Sequence, residues 1–302
     1  MRILIIIVTF NGMRWLPRCL DAAVNQTVSA DILVVDNQST DGTQAYIKDA
    51  FPDIHLVESK INLGFGKANN LGMAYGLKNG YDYFFLLNQD AYLEPDTIET
   101  LIKVQQLNPD FGILSPVQYD GTGTDMDHKF KVLFKSSKNC RLHPAALLPP
   151  GKPVKLFTAK FVMAAFWLMS RACVERVGQF DEIFSHYGED NDYLNRVWFH
   201  RFKVGIVGNC NGFHDRENRA LSVEKQLNVS FASYLAALTN PNMQLATAYW
   251  KTFRVIERRF RKAVLRKDFS QSSLIFKKLT ALYSQTPSII KTRKRNKLVQ
   301  SS

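Results

Sequence analysis

The stretch YDYFFLLNQDAYLEPD, Tyr81 to Asp96, decides how this chain folds. Its aromatic and aliphatic run shows no alternation, which suits a strand covered on both faces by other elements. The run stops abruptly at Asn88-Gln89-Asp90, and a Pro-led helix follows a few residues later. An amide and a carboxylate two residues apart, at the open end of a buried strand, stand where open α/β sheets bind ligands.

Outward from that segment, short apolar runs alternate with longer amphipathic ones, the pattern of a parallel sheet with crossover helices. ILIIIVTF reads as a first strand and GMRWLPRCLDAAVNQ as a helix with Pro17 in its first turn. DILVVDN, IHLVES and YDYFFLLN read as the next three strands. The loop DNQSTDGT offers capping residues for the helix TQAYIKDAF, and the Gly-rich NLGFGKANNLG precedes a helix through Leu77. Residues 120–155 lose periodicity and read as a long loop, a feature that is usually functional or mobile. Order returns with KLFTAKFVMAAFWLMSR, with VGQFDEIFSHYGEDNDYLNRVWFHRF and with a strand KVGIVG, and from about residue 225 the pattern is helical and basic.

The net charge of +12 is unevenly spread. Residues 241–302 hold 15 Lys/Arg against Glu257 and Asp268, so the other 240 residues carry about −1. A demand for positive charge therefore belongs to the C-terminal part. The cysteines Cys19, Cys140, Cys173 and Cys210 show neither zinc nor disulfide spacing, which fits a reducing compartment. The opening apolar run is too short and too β-branched for a leader, and FVMAAFWLM is about half of the ~20 residues a membrane span needs.

The strand ends form one group: Thr9 and Asn11, Asp36 and Asn37, the stretch NLGFGKANN with Gly64, Phe65 and Asn69, and Asn88, Gln89 and Asp90. Gly64 and Gly66 permit close backbone approach to a phosphate ahead of a helix N-terminus, although a tight turn explains them as well. The stretch is neither GxGxxG nor a Walker A loop. Asp90 must be paired, coordinated or solvated; it either bonds loop amides or ligates a divalent cation on nucleotide phosphates. In GEDNDYLNR, N-terminal helix charge explains Glu189 and Asp192. Asp190 instead shares a stripe with Leu194 and Val197, so it faces inward and is a candidate general base. His214 is either structural or an imidazole ligand beside Asp90.

Together VTFN, VVDNQSTDGT, NLGFGKANNLG, LLNQDAYLEPDTI, FWLMSRACVERVGQFDEIF, GEDNDYLNR and His214 resemble the inverting family 2 glycosyltransferases of GT-A fold, from Arg2 to about Arg219. NLGFGKANN and FDEIFSHYGEDNDY are most similar to enzymes that move rhamnose or related sugars in bacterial surface-polysaccharide synthesis. The resemblance implies an α/β fold with a mostly parallel central sheet flanked by helices, and a helical basic extension. It implies a catalytic unit over residues 1–222, divided into a nucleotide-binding half (1–118) and an acceptor half (119–222), with the extension over 223–302. It further implies that Asp36 bonds the pyrimidine, that Thr9 and Gly64 line the nucleotide pocket and that Asp90 binds Mg²⁺ or Mn²⁺, with His214 completing the shell. In the Glu189–Asp190 catalytic pair, Asp190 would deprotonate the acceptor. The partners implied are a nucleoside-diphosphate sugar and a glycan or polyprenyl-linked glycan. Two departures stand out: Asn88 replaces the first Asp of the family's DXD element, and Ala164-Ala165 stands where many relatives have glycine.

In YWKTFRVIERRFRKAVLRK, Trp250, Phe253, Ile256, Phe260, Val264 and Leu265 fall near helical spacing among cations. Such a helix lies on an anionic membrane or covers an apolar patch; a lipid-linked acceptor and the cations of KTRKRNK favour the membrane, and hence a peripheral position on the cytoplasmic face. Nucleic-acid binding is disfavoured because the catalytic portion is nearly neutral and carries no recognition motif. The rival readings are a sugar nucleotidyltransferase, whose Gly-rich loop after strand one is missing from VTFNGMRW, and a non-catalytic membrane adaptor of the same fold.

Overall fold

The computed structural model describes residues 1–136, 138–142, 154–216 and 222–298. Strands and helices alternate through β1 (Ile3–Thr9), α1 (Leu16–Val24), β2 (Asp31–Asp36), α2 (Thr43–Ala50), β3 (His55–Glu58), α3 (Gly64–Lys78) and β4 (Tyr83–Asn88). There follow β5 (Ala91–Leu93), α4 (Thr97–Leu107), β6 (Phe111–Asp120), α5 (His128–Lys135), β7 (Cys140–Leu142), β8 (Leu156–Ala159) and β9 (Phe166–Ser170). The described chain ends with α6 (Arg171–Val177), α7 (Glu189–Phe199), β10 (Lys203–His214), α8 (Val223–Thr239), α9 (Leu245–Leu265), α10 (Phe269–Ser284) and α11 (Thr286–Asn296).

Unbroken apolar strands require cover on both faces, and β1 shows how it is supplied. Ile3, Ile5 and Ile7 point into one core with Leu16 and Leu20 of α1 and Leu101 of α4. Leu4 and Ile6 point into the other, with Ala68 and Met73 of α3. Helix α3 sits close to the sheet because Gly72 and Gly76 lack a Cβ: one built there would lie 2.6 Å from Ile6 and 2.4 Å from Phe84.

The described strands form one sheet, in the order β3-β2-β1-β4-β9-β6-β10-β8-β7, with β5 paired to β10. Strands β3, β2, β1 and β4 run parallel, as do β6 and β10. KLFTAKFVMAAFWLMSR is two strands rather than one segment, and its second, β9, inserts antiparallel between β4 and β6. The expected long loop at 120–155 contains α5 and β7, the latter extending the sheet edge through β8; residues 143–153 lie outside those described. The last strand is also longer than KVGIVG. A bulge between Val207 and Asn211 lets β10 continue to His214, which therefore ends a strand rather than following one. At α2 the cap is Gly42 in a left-handed turn (φ 90°), with no side-chain cap.

The C-terminal helices have a core of their own, closed by Phe184 from the segment before α7. Helix α9 packs through Ala248, Thr252, Ile256 and Ala263, mostly small side chains that admit close neighbours, while Trp250, Phe253, Phe260, Val264 and Leu265 stay exposed. Of the apolar stripe seen in the sequence, only Ile256 is a packing residue. Within KTRKRNK, two cations serve the fold rather than a surface. Buried Arg293 donates to the carbonyls of Leu238, Asn240 and Met243 at the end of α8, and Arg295 pairs with Asp181. Among the described residues no helix is long and apolar enough to cross a membrane.

Candidate active site

Parallel register aligns the strand ends along one edge of the sheet. Thr9 stands opposite Asp36, and Val8 opposite Asn88. The buried Asp36 carboxylate accepts from Thr9 Oγ1 at 2.9 Å, from the Ser39 amide at 2.9 Å and from Gln44 Nε2 at 2.6 Å. Thr9 is itself buried and supports Asp36 from below. Asn37 accepts from the Leu63 amide (3.1 Å) and donates to the Gly64 carbonyl (3.3 Å), tying β2 to the start of α3. Asn11, at φ 50°, accepts from the Thr40 amide at 2.9 Å and joins the first two loops.

Helix α3 begins inside the Gly-rich stretch, at Gly64 (φ 76°), rather than after it. A Cβ at Gly66 would press on Phe180 at 3.2 Å, so this glycine lets Phe180 pack closely. Buried Asn69 donates to the Phe65 carbonyl within the helix, and its neighbour Asn70 joins α3 to Phe180 through two bonds of 2.8 and 2.9 Å. Gln89 turns the other way. Its amide accepts from the Phe10 N–H at 2.8 Å and donates to the Phe10 carbonyl at 3.3 Å, a tie between the β1 and β4 loops.

Pairing of β5 with β10 sets Ala91 opposite His214 and so brings Asp90 to His214 across 124 residues of sequence, Oδ1 to Nε2 at 3.1 Å. Arg216 Nη2 lies 3.0 Å from the other ring nitrogen, Nδ1, and Arg216 Nε lies 3.1 Å from Asp127 Oδ2. A guanidinium can only donate, so Nδ1 accepts and Nε2 carries the proton given to Asp90. Neither Arg216 nor Asp127 was expected from the sequence. The legible signal for Arg216 was its i, i+2 spacing from His214, which in an extended chain keeps both on one side.

The third group comes from the start of α7. Tyr187 (φ 68°) and Gly188 (φ 86°) form a left-handed pair, and a Cβ on Gly188 would lie 2.8 Å from the Ala232 carbonyl of α8. Glycine alone allows α7 to begin so close to α8. Asp192, read as a helix-start charge, is in the first turn and also fully buried, accepting from Arg196 Nε (2.9 Å) and Thr239 Oγ1 (2.7 Å) to brace α7 on α8. Asp190 accepts only from the amide and side chain of Asn191, and burial raises its pKa. Glu189 is buried with Oε2 unpartnered, and burial, reinforced by the Asp190 charge, lifts its pKa from 4.5 to about 7.

A hollow of about 210 Å³ gathers Asn88, Ala164, Ala165, Asp190, His214 and Arg216, with Phe65 and Glu189 also on its wall. Asp90 stands behind His214. Its edge thus brings together an imidazole bonded to the Asp90 carboxylate, an always-charged guanidinium and a carboxylate of raised basicity. Such a set can hold an anion and accept a proton.

Glycosyl transferase family 2 matches residues 4–178. The chain is 23% identical over 190 residues to the low-salt glycan biosynthesis hexosyltransferase Agl10 of Haloferax volcanii, covering 62% of this chain and 59% of that one. It is 27% identical over 201 residues to an N-acetylglucosaminyl-diphospho-decaprenol L-rhamnosyltransferase of Mycobacterium tuberculosis, covering 59% and 63%. The matched segment thus spans about six-tenths of these relatives' length. Among solved structures, S. aureus TarS 1-349 in complex with UDP-GlcNAc superposes with a TM-score of 0.59 over 98% of this chain and 89% of that one, at 14% identity, a likeness of fold. With more than half its residues matched and the strand-end site in the matching fold, this chain belongs to glycosyl transferase family 2.

Proposed function

We propose that this family 2 glycosyltransferase moves a sugar from a nucleoside-diphosphate donor, dTDP-rhamnose or a UDP-sugar, to a hydroxyl of a lipid-linked glycan, with inversion, in surface-polysaccharide synthesis. The observation that carries the reading is the shared hollow: Asp190, with its proton affinity raised by burial, faces Asn88 and His214 across it. The donor class follows from the family and from the polar strand ends, with Asp36 for the pyrimidine and Thr9, Asn11, Asn37 and Gly64 around it. The lipid-linked acceptor is supported by the relative that acts on a diphospho-decaprenol sugar. We assign catalysis to residues 1–222 and membrane approach to 223–302, whose exposed Trp250, Phe253 and Leu265 lie among cations.

In the reaction, the Asp190 carboxylate takes the acceptor proton as the oxygen forms its bond to the anomeric carbon. The bond from that carbon to the diphosphate breaks on the opposite face, and the nucleoside diphosphate leaves with the electron pair. Burial that raises Asp190 makes it a better base near neutrality than an ordinary carboxylate. Arg216 offers fixed positive charge on the leaving-group side.

Asp90 and His214 would hold a divalent cation between them, since a carboxylate oxygen and a ring nitrogen, both possible ligands, stand side by side. Among the described residues no third His, Cys, Asp or Glu joins them, so the Asn88 amide, water and donor phosphates would complete the shell, a pattern usual for Mg²⁺ and Mn²⁺. When bound, such an ion supplies charge against the departing diphosphate.

The test is transfer from a panel of nucleotide sugars to a short-chain glycosyl-diphosphate lipid, with Mn²⁺ and with chelator. Product of inverted anomeric configuration, abolished in a folded Asp190→Asn protein, is the expected result. Equal turnover by parent and variant would sink the assignment.

A further inference from the structure

Beside the hollow lies a second cavity of about 490 Å³, between residues 183–187, α8 and α10. Its lining divides by chemistry. Phe184, Phe231, Leu235 and Leu282 make an apolar floor, whereas His186, Lys225 and Lys278 bring basic groups, and among the described residues no acid lines it. Neither lysine forms an ion pair among the described residues. Burial, and after it the Lys225 charge, hold the His186 imidazole below its ordinary pKa. Asn228 adds a buried side-chain oxygen without a partner, free to accept from a hydroxyl. Two unpaired ammonium groups over an apolar floor suit a ligand that is anionic at one point and greasy beside it.

The two spaces adjoin at Tyr187, which lines both this cavity and the Asp190 hollow. Tyr187 and Asp190 are three positions apart in sequence, so their Cα atoms are at most about 11 Å apart. A molecule with a hydroxyl in the Asp190 hollow that runs past Tyr187 would bring its next groups into this cavity. On α10, Phe276 and Tyr283 remain exposed.

We infer that this cavity receives the phosphate by which the acceptor sugar is joined to its lipid, with Lys225 and Lys278 as counter-ions and the Phe184–Phe231–Leu282 floor under the first part of the chain. The inference rests on the lipid-linked acceptor of the proposed function and gives that acceptor a place. Bilayer phospholipids carry the same phosphate chemistry, so the experiment separates the two sources.

Farnesyl diphosphate is the probe, titrated calorimetrically into the full chain, the Lys225→Ala/Lys278→Ala double variant, and Ala281→Trp, which narrows the cavity without changing charge. Both variants are expected to weaken the probe by about tenfold or more, as loss of charge-assisted contacts or of space implies. Their melting temperatures and UDP affinity should be retained, and sedimentation with phosphatidylglycerol vesicles should persist. In transfer assays the double variant should raise the acceptor KM by a similar factor. Unchanged probe affinity would overturn the assignment, as would a loss confined to vesicle binding, which would give the lysines to the bilayer. Lysine-dependent probe binding by a protein that transfers no sugar would sustain the cavity and sink the proposed reaction instead.

Discussion

On the strand-end side of the hollow, polar side chains already have their partners; on the α7 side, two carboxylates do not. Asp36 accepts three hydrogen bonds, Asn37 bonds through both ends of its amide and Gln89 likewise. Glu189 has an orphan oxygen and Asp190 only its sequence neighbour. The first arrangement fixes geometry before a ligand arrives, which suits recognition. The second withholds stabilisation from the ionised form, which raises proton affinity and suits proton transfer. Two sides of one cleft thus use burial to opposite ends.

The sharpest way to break this contrast is at Asp190. Asp190→Asn should lower the single-turnover rate by about 10²- to 10⁴-fold while leaving UDP affinity and melting temperature near those of the parent. Loss of nucleotide binding in proportion would show that Asp190 belongs to the recognition side. In the parent, the acid limb of the rate profile should lie above the ordinary carboxylate range, because the base must be ionised and burial raises its pKa.

Two residues further on, Asp192 should behave in the reverse way. Asp192→Ala leaves Arg196 buried without its charge partner, at a cost of about 3–5 kcal/mol, read by denaturant unfolding. A stable variant with impaired turnover would instead make Asp192 a functional group.

Glu189→Gln tests the withheld partner through pH. The folded protein holds a proton to about pH 7 that the unfolded chain releases near 4.5, so stability is lost as pH rises through that window. The variant cannot titrate. It should therefore match the parent at pH 4 and exceed it at pH 8, by at most roughly 3 kcal/mol for a shift of this size. Identical stabilities at pH 8 would mean that Glu189 finds a partner in solution.

The smallest effect is expected at Asn37. Asn37→Ala removes two bonds to the start of α3, for about 1–2 kcal/mol of stability, and should weaken nucleotide binding through the slackened loop. Unchanged nucleotide affinity would separate loop order from recognition.

Much of this was legible in the residues. The four parallel strands at the N-terminal end follow from unbroken apolar runs, and their polar ends follow from where each run stops. Asp190 was found by its stripe with Leu194 and Val197, both buried as expected. Asp192 stands in the first turn of α7 as read, but periodicity could not tell that α8 brings Thr239 to meet it. Nor could it show the tie of Gln89 to Phe10, which lies 79 residues away. The stripe of α9 failed differently: aromatic residues mark an apolar face, yet close helix packing selected Ala248, Thr252 and Ala263 instead.

By itself the sequence determined the layered α/β architecture and which residues stand at strand and helix ends, because hydrophobic period and chain breaks are local properties. Only the tertiary structure decided which of the open readings held and who else meets: the direct bond of His214 to Asp90, Arg216 with Asp127, and Tyr187 between two cavities. Those meetings depend on β5 pairing with β10 and α8 docking on α7, and segments distant along the chain carry no local record of their separation in space.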